Sequence, residues 1–263
     1  MRENLTLTLP RIYSSRTLQN VSSCELGADN RRYLKTVLRL NPGDRVIIFD
    51  GYGHNFEARI ESFTSSGVCV ALEKALPHTS KHISITLAQA LPKGNKMDLI
   101  VKGVAELGAD VIIPFTADRS VSRLTGEKAP ARVVRWQKIA REASRCTGSA
   151  SVAEVEPVLS FEGMLLRAQS DARKMIFWEE EERQTIKDAL SDPAYDIVLR
   201  YFIVVGPEGG LSRDEVAQAR QAGFIPVTLG RQILKVETAA MAILAIIQYE
   251  KGIFGLQSER GAK

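Results

Sequence analysis

The spacing of apolar residues changes near residue 77. Upstream, short runs with β-branched and alternating character at residues 45–50 (RVIIFD), 56–60 (FEARI) and 67–72 (GVCVAL) predict strands, with turns at 41–44 (NPGD) and 51–55 (GYGHN). One helix is predicted over residues 29–40, with Leu34, Val37 and Leu38 on its apolar face and Arg32, Lys35 and Arg39 on a cationic one. Residues 1–76 therefore read as a small β-barrel carrying a basic helix, a pattern suited to RNA. Residues 77–82 read as a polar linker. His78 and His82 are four apart, but with Pro77 adjacent and no carboxylate nearby they make a poor metal pair, and no metal is expected.

Downstream the pattern alternates between strand and helix. Strands are expected at 83–91, 111–115, 174–178, 201–205 and 226–229, and helices at 96–107, 130–146, 161–168, 182–190, 212–222 and 237–249. This is an α/β domain with a mainly parallel sheet, residues 83–255, followed by a short tail at 256–263. Two strands end abruptly in glycine: FIVVGPEGG at 202–210 and VTLGRQILKVETAA at 227–240. Such corners leave backbone N–H groups free at the carboxyl ends of strands, where α/β sheets bind ligands. GPEGG lacks the Lys-Ser/Thr ending of a P-loop, there is no G-x-G-x-x-G after a first strand, and there is no G-x-S-x-G elbow. With imidazoles so few, the corners suit binding and positioning rather than hydrolysis, and methyl transfer from a sulfonium donor needs little more than positioning.

Charge changes this picture more than composition does. The 263 residues have 44% apolar and 25% charged content and a net charge of +4, ordinary globular values. Residues 119–145 hold eight Arg or Lys against two acids, whereas 154–196 hold eleven acids against five cations. The helix at 130–146 would place Val133, Trp136, Ile139, Ala140 and Ala143 inward and Arg135, Lys138, Arg141 and Arg145 outward, a face able to neutralise phosphates. Cys24, Cys69 and Cys146 are odd in number and form no C-x-x-C pair, as expected of a reduced cytoplasmic protein. No apolar signal segment is evident, and the apolar run at 239–247 is too short to span a bilayer, so no membrane partner is expected.

The ordered motifs resemble one family. PRIYSS at 10–15, LKTVLRLNPGDRVIIFDGYG at 34–53, QALPKGNKMDLIVKGVAELG at 89–108, ADRSV at 117–121, WQKIAREAS at 136–144 and the two glycine corners are similar to the ribosomal RNA small subunit methyltransferase E family of the SPOUT superfamily. The resemblance implies a PUA-like barrel followed by an α/β domain with a C-terminal trefoil knot, and a homodimer. It also implies S-adenosylmethionine-dependent methylation of uridine N3 in 16S rRNA of the 30S subunit. A related knotted methyltransferase acting on tRNA or ribose 2′-O, or a non-catalytic ribosome-assembly factor, is the alternative reading.

By position, the resemblance implies a cofactor bed of Phe177, Trp178, Glu179, Val205, Gly206, Pro207, Glu208, Gly209, Gly210, Leu229, Gly230, Arg231, Ile233, Leu234, Thr238 and Ala239. Leu229, Ile233 and Leu234 would flank adenine. RNA contacts are expected from Arg11, Arg32, Lys35, Arg39, Lys93, Lys96, Arg119, Arg135, Lys138 and Arg141. Removal of the uridine N3 proton leaves Arg11 and Arg231 as candidates for charge stabilisation, and Glu208 and Glu237 as candidate acceptors if burial raises their pKa. Ser149 and Gln232 stand where relatives carry arginine, which puts particular RNA contacts in question.

Overall fold

A computed structural model of the chain describes residues 9–77, 83–121, 128–191 and 199–253. The chain divides into two compact units, Met1–Ser80 with Ser144–Val152, and Lys81–Ala143 with Ala153–Lys263. His78, His82 and the 256–263 tail lie outside the described residues.

In the first unit, β1 (Arg11–Tyr13), β2 (Ser23–Leu26), β3 (Arg45–Phe49), β4 (Asn55–Phe63) and β5 (Val68–Ala75) form one sheet in the order β1-β3-β4-β5-β2. Its core is Ile12, Leu18, Leu34, Val46, Ile48, Ile60 and Val70, all at most 1% exposed. Irregular register between β4 and β5 at Glu57/Ala58 and Ile60/Ser62 bends the ladder around that core. The β3–β4 turn is fastened by the buried Asp50 carboxylate, which accepts the backbone N–H groups of Leu18 at 2.9 Å, Tyr52 at 2.9 Å and His54 at 3.2 Å, and meets His54 Nδ1 at 2.7 Å. Burial alone would raise the Asp50 pKa, but these donors outweigh it and hold the carboxyl below its ordinary value.

The helix expected at 29–40 is shorter than its pattern. α1 (Ala28–Arg32) passes into a π-helical turn at Tyr33–Val37, where Leu38 N–H donates to the Tyr33 carbonyl, and Arg39 adopts a left-handed φ of 57° before Pro42. The wider turn advances each residue by less than an α-helical step, so Val37 rotates outward and is 63% exposed while Leu34 remains buried. Arg32, Lys35 and Arg39 are all exposed but do not form one helical stripe.

In the second unit, β6 (Ser84–Ala90), β7 (Val111–Thr116), β8 (Glu154–Val155), β10 (Arg173–Phe177), β11 (Arg200–Val205) and β12 (Ile225–Val227) form an all-parallel sheet in the order β12-β10-β11-β6-β7-β8, with β9 (Leu159–Ser160) also on β7. Near-continuous apolar strands suit a sheet covered on both faces. The helices are α2 (Lys96–Glu106), α3 (Lys128–Thr147, of which Ser144–Thr147 belong to the first unit), α4 (Phe161–Leu165), α5 (Ile186–Ser191), α6 (Arg213–Gln221) and α7 (Val236–Glu250). α5 starts later than the expected 182 because the Glu181 carboxylate takes the N–H groups of Arg183 and Gln184 into a turn, and Thr185 and Asp188 then cap each other's backbone and side chain. α2 packs on α7, where Met241 Sδ would lie 2.3 Å from a Cβ added at Gly103. Among the described residues no helix is long and apolar enough to cross a membrane.

Candidate functional site

Register brings the two glycine corners and a third loop to one level. Phe177 is opposite both Val205 and Val227, and Val205 is opposite Gln89, so the chain leaves β10, β11 and β12 side by side at the carboxyl edge. The loops are tied together there. Trp178 N–H donates to the Val227 carbonyl at 3.1 Å, and Thr228 N–H to the Gln184 carbonyl at 2.8 Å. Gly210, with φ 70°, lies so close to the Glu179 carboxylate that a Cβ would stand 1.7 Å from Oε1. Gly206 is held against Leu211, where a Cβ would be 3.0 Å from Cγ, and the α6 capping box of Ser212 and Glu215 fixes the end of the corner.

Each residue expected in the cofactor bed falls on these loops or on the first turn of α7. Phe177 and Val205 are buried strand ends, so they offer backbone rather than side chain. Trp178 is half-buried and its indole Nε1 is buried without a hydrogen-bond partner. Pro207 is buried, while Glu208, Gly209, Gly230, Arg231 and Thr238 are exposed and Leu229, Leu234 and Ala239 half-buried. Ile233 is 88% exposed, a large apolar side chain offered to solvent. Gly230 has φ 109° and open space where a Cβ would point. No backbone hydrogen bond among the described residues ties 231–234. Exposed apolar side chains, unsatisfied polar atoms and free backbone suit an adenosine ring and a methionine tail.

The expected acids behave differently from each other. Glu208 accepts Lys96 Nζ at 2.7 Å and the Lys93 N–H at 3.1 Å. Burial pushes its pKa up, but Lys96 and the backbone donors outweigh burial and the net shift is downward, so Glu208 is a fixed carboxylate rather than the raised-pKa acceptor the sequence allowed. Glu237 places Oε2, buried and without a hydrogen-bond partner, 4.0 Å from Lys96 Nζ.

The expected cations also divide. Lys96, taken from sequence as an RNA contact, lies between Glu208 and Glu237, with its Nζ at 2.7 Å from the first and 4.0 Å from the second. Arg119 donates to the Gly209 carbonyl at 3.1 Å and lies over the corner. Arg135 is spent on Asp98, with Nε at 3.0 Å and Nη2 at 2.7 Å, so the outer face of α3 is not uniformly free. Lys93, Lys138 and Arg231 are exposed, and Arg141 is half-buried. In the first unit Arg11 is half-buried over the Phe49 ring at 5.0 Å and donates to the Ser149 carbonyl at 2.9 Å, a structural anchor whose pKa burial lowers. Lys35 lies 5.5 Å from the Phe63 ring, and Arg145 stacks on Tyr33 at 4.8 Å.

Two site residues escaped the sequence reading. Gln89 is fully buried at the end of β6 and its amide donates to the carbonyls of Ala90 at 3.0 Å, Gly206 at 3.3 Å and Val205 at 3.4 Å, bracing the corner. The one amide side chain in a mostly apolar strand was its signal. Asp118 joins the ADRSV loop to α6 by donating its N–H to Glu215 and accepting Ser212 Oγ, both within 2.9 Å, and nothing in its local pattern marks it.

Residues 79–248 match the RNA methyltransferase domain family, and residues 26–73 match the RNA methyltransferase PUA domain. The ribosomal RNA small subunit methyltransferase E of Bacillus subtilis is 31% identical over 236 residues, covering 89% of this chain and 92% of its own. The Neisseria gonorrhoeae protein of the same description, solved bound to S-adenosylmethionine, is 32% identical with a TM-score of 0.80 and covers 91% of this chain and 97% of its own. A Legionella pneumophila structure, also in complex with that cofactor, is 27% identical with a TM-score of 0.81 over 92% of this chain and 97% of its own.

Proposed function

We propose, because this chain belongs to the RNA methyltransferase family, that it transfers the methyl group of S-adenosylmethionine to N3 of a uridine in the 16S rRNA of the small ribosomal subunit. The observation that carries this reading is the meeting of the 178–185, 206–212 and 228–235 loops at one carboxyl edge, with Gly210 pressed on Glu179 and orphaned polar atoms on Trp178 and Gln89. Relatives with bound S-adenosylmethionine support placing the donor there. Bound in that bed, the cofactor supplies a methyl on a sulfonium that is already a good leaving group.

The chain's own residues do the rest. Gln89 fixes the carbonyls of the corner, and the small residues at 206, 209 and 210 let backbone approach the ligand closely. Lys96 pairs closely with Glu208 and only at 4.0 Å with Glu237 Oε2, and this oxygen, which accepts no hydrogen bond, is the group best placed to take the N3 proton. Arg119, held over the 206–212 corner, and Arg231, on the 228–235 loop, are exposed guanidinium groups able to face a developing uridine anion. The trefoil crossing of the 229–238 segment and a homodimer belong to the same reading. Exposed Leu99 on α2 and Tyr249 on α7, two helices that pack together, support a second copy as their cover.

Nucleoside mass spectrometry after reaction with naked 16S rRNA, 30S particles and 70S ribosomes tests the assignment. The reading expects 3-methyluridine; a ribose-methylated product, or a methylated tRNA instead, would replace it with the related activity.

A further inference from the structure

The 91–95 loop follows β6, the strand next to the donor corner on β11, and roofs a cavity of about 190 Å³ that the cofactor bed does not use. Leu91, Met97 and Trp136, each at most 3% exposed, form its floor beside the Asp98 carboxylate. The floor is also rigid, because Asp98 accepts Trp136 Nε1 at 3.1 Å with one oxygen and Arg135 with the other. Its rim carries Asn95 and Arg132. Asparagine is among the best N-cap residues, yet Asn95, at the N-cap of α2, makes no capping hydrogen bond with its side chain. Among the described residues its side-chain oxygen accepts Arg132 Nη1, at a long 3.5 Å. The cavity is smaller than the roughly 300–1,000 Å³ of drug-sized sites and suits one flat ring. The same loop is bound to the donor corner, since Lys93 N–H donates to both oxygens of Glu208 at 3.1 Å.

We infer that this cavity holds the uracil ring of the acceptor nucleotide, with Asn95 and Arg132 as the residues that select it. The inference rests on the methyltransferase reading above and adds the recognition site. Uracil has two carbonyl acceptors flanking N3, and the amide NH2 of Asn95 and the guanidinium of Arg132 are both donors. Donors at both carbonyls leave N3 unobstructed and favour the anion formed when N3 loses its proton, because its charge spreads onto those oxygens. Cytosine presents an amino donor at one of these positions and is rejected by the same pair. The base must leave its stack to enter, which single-stranded or loop RNA permits at small cost.

Asn95→Asp is the informative substitution. Aspartate caps a helix as well as asparagine does, so α2 is retained, but it replaces the donor with acceptors that repel a carbonyl. The account expects kcat/KM for ribosomal RNA to fall about 100-fold, with calorimetric affinity for S-adenosylmethionine unchanged and thermal melting preserved. Methyl transfer by Asn95→Asp at the wild-type rate would overturn the inference. A second measurement is independent of turnover: tryptophan emission is titrated with oligouridylate and with oligocytidylate, and the Trp136 part is taken as the difference from Trp136→Phe. Saturable quenching by oligouridylate alone, lost in Asn95→Asp, supports the site even if wild-type protein transfers no methyl. An equal response to the two strands, or no response to either, refutes it.

Discussion

Gly210→Ala probes the packing of the donor corner with a magnitude the structure supplies. At φ 70° an L-residue is in left-handed backbone, which costs about 1–2 kcal/mol relative to glycine. The added Cβ would also stand 1.7 Å from Glu179 Oε1, but that oxygen ends a flexible, exposed side chain that can rotate away. Backbone strain should therefore dominate stability, giving a fall in melting temperature of about 2–8 °C, while displacement of Glu179 should be felt mainly as weaker S-adenosylmethionine binding. Calorimetric scanning and titration of wild type, Gly210→Ala, Glu179→Ala and the double variant separate the two effects. The stability cost should persist in the Glu179→Ala background, and the binding cost should shrink there. A Gly210→Ala protein with unaltered melting, or a stability cost that vanishes without Glu179, would refute the reasoning.

Three further outcomes follow from the same contacts. Asp50→Asn should destabilise the first unit and blunt its acid sensitivity: the folded pKa of Asp50 is depressed, so its contribution is present above the unfolded carboxylate value and lost as pH falls through the folded one. Urea unfolding across the acid range checks this, and parallel pH profiles for the two proteins would contradict it. Burial raises the Cys24 thiol to about 11, so iodoacetamide at neutral pH should label exposed Cys146 well before Cys24 in peptide mapping; equal rates would contradict the burial argument. Lys96→Met should leave thermal melting nearly unchanged, because its pair with Glu208 is partly exposed, yet lower methyl transfer by freeing the Glu208 corner; unchanged turnover would remove Lys96 from the site.

Much of this architecture was legible because parallel strands write themselves as uninterrupted apolar runs. Residues 201–205 and 111–115 were read almost to the residue, and FIVVGPEGG announced its corner by placing glycines where β-branched residues stop. The short strands β1, β2, β8 and β9 were missed, since two to four residues are too few for a period to show. Amphipathic spacing at 29–40 misled because it assumes α-helical steps, and the π-turn at Tyr33–Val37 changes them. The cations were the least legible part. Sequence placed Lys96, Arg135 and Arg145 on RNA-facing surfaces, but Glu208, Asp98 and Tyr33 claim them through contacts 37 to 112 residues apart in the chain. Pairing over that distance leaves no local trace.

The central claim is that the loops leaving β10, β11 and β12 form one methyl-donor bed. Isothermal titration of S-adenosylmethionine into wild type and Gly230→Trp tests it most directly, because Gly230 sits at φ 109° beside open space that a large side chain would fill. The account predicts saturable binding to wild type and its loss in the folded variant. Absence of binding to wild type, or equal affinity in Gly230→Trp, would contradict it.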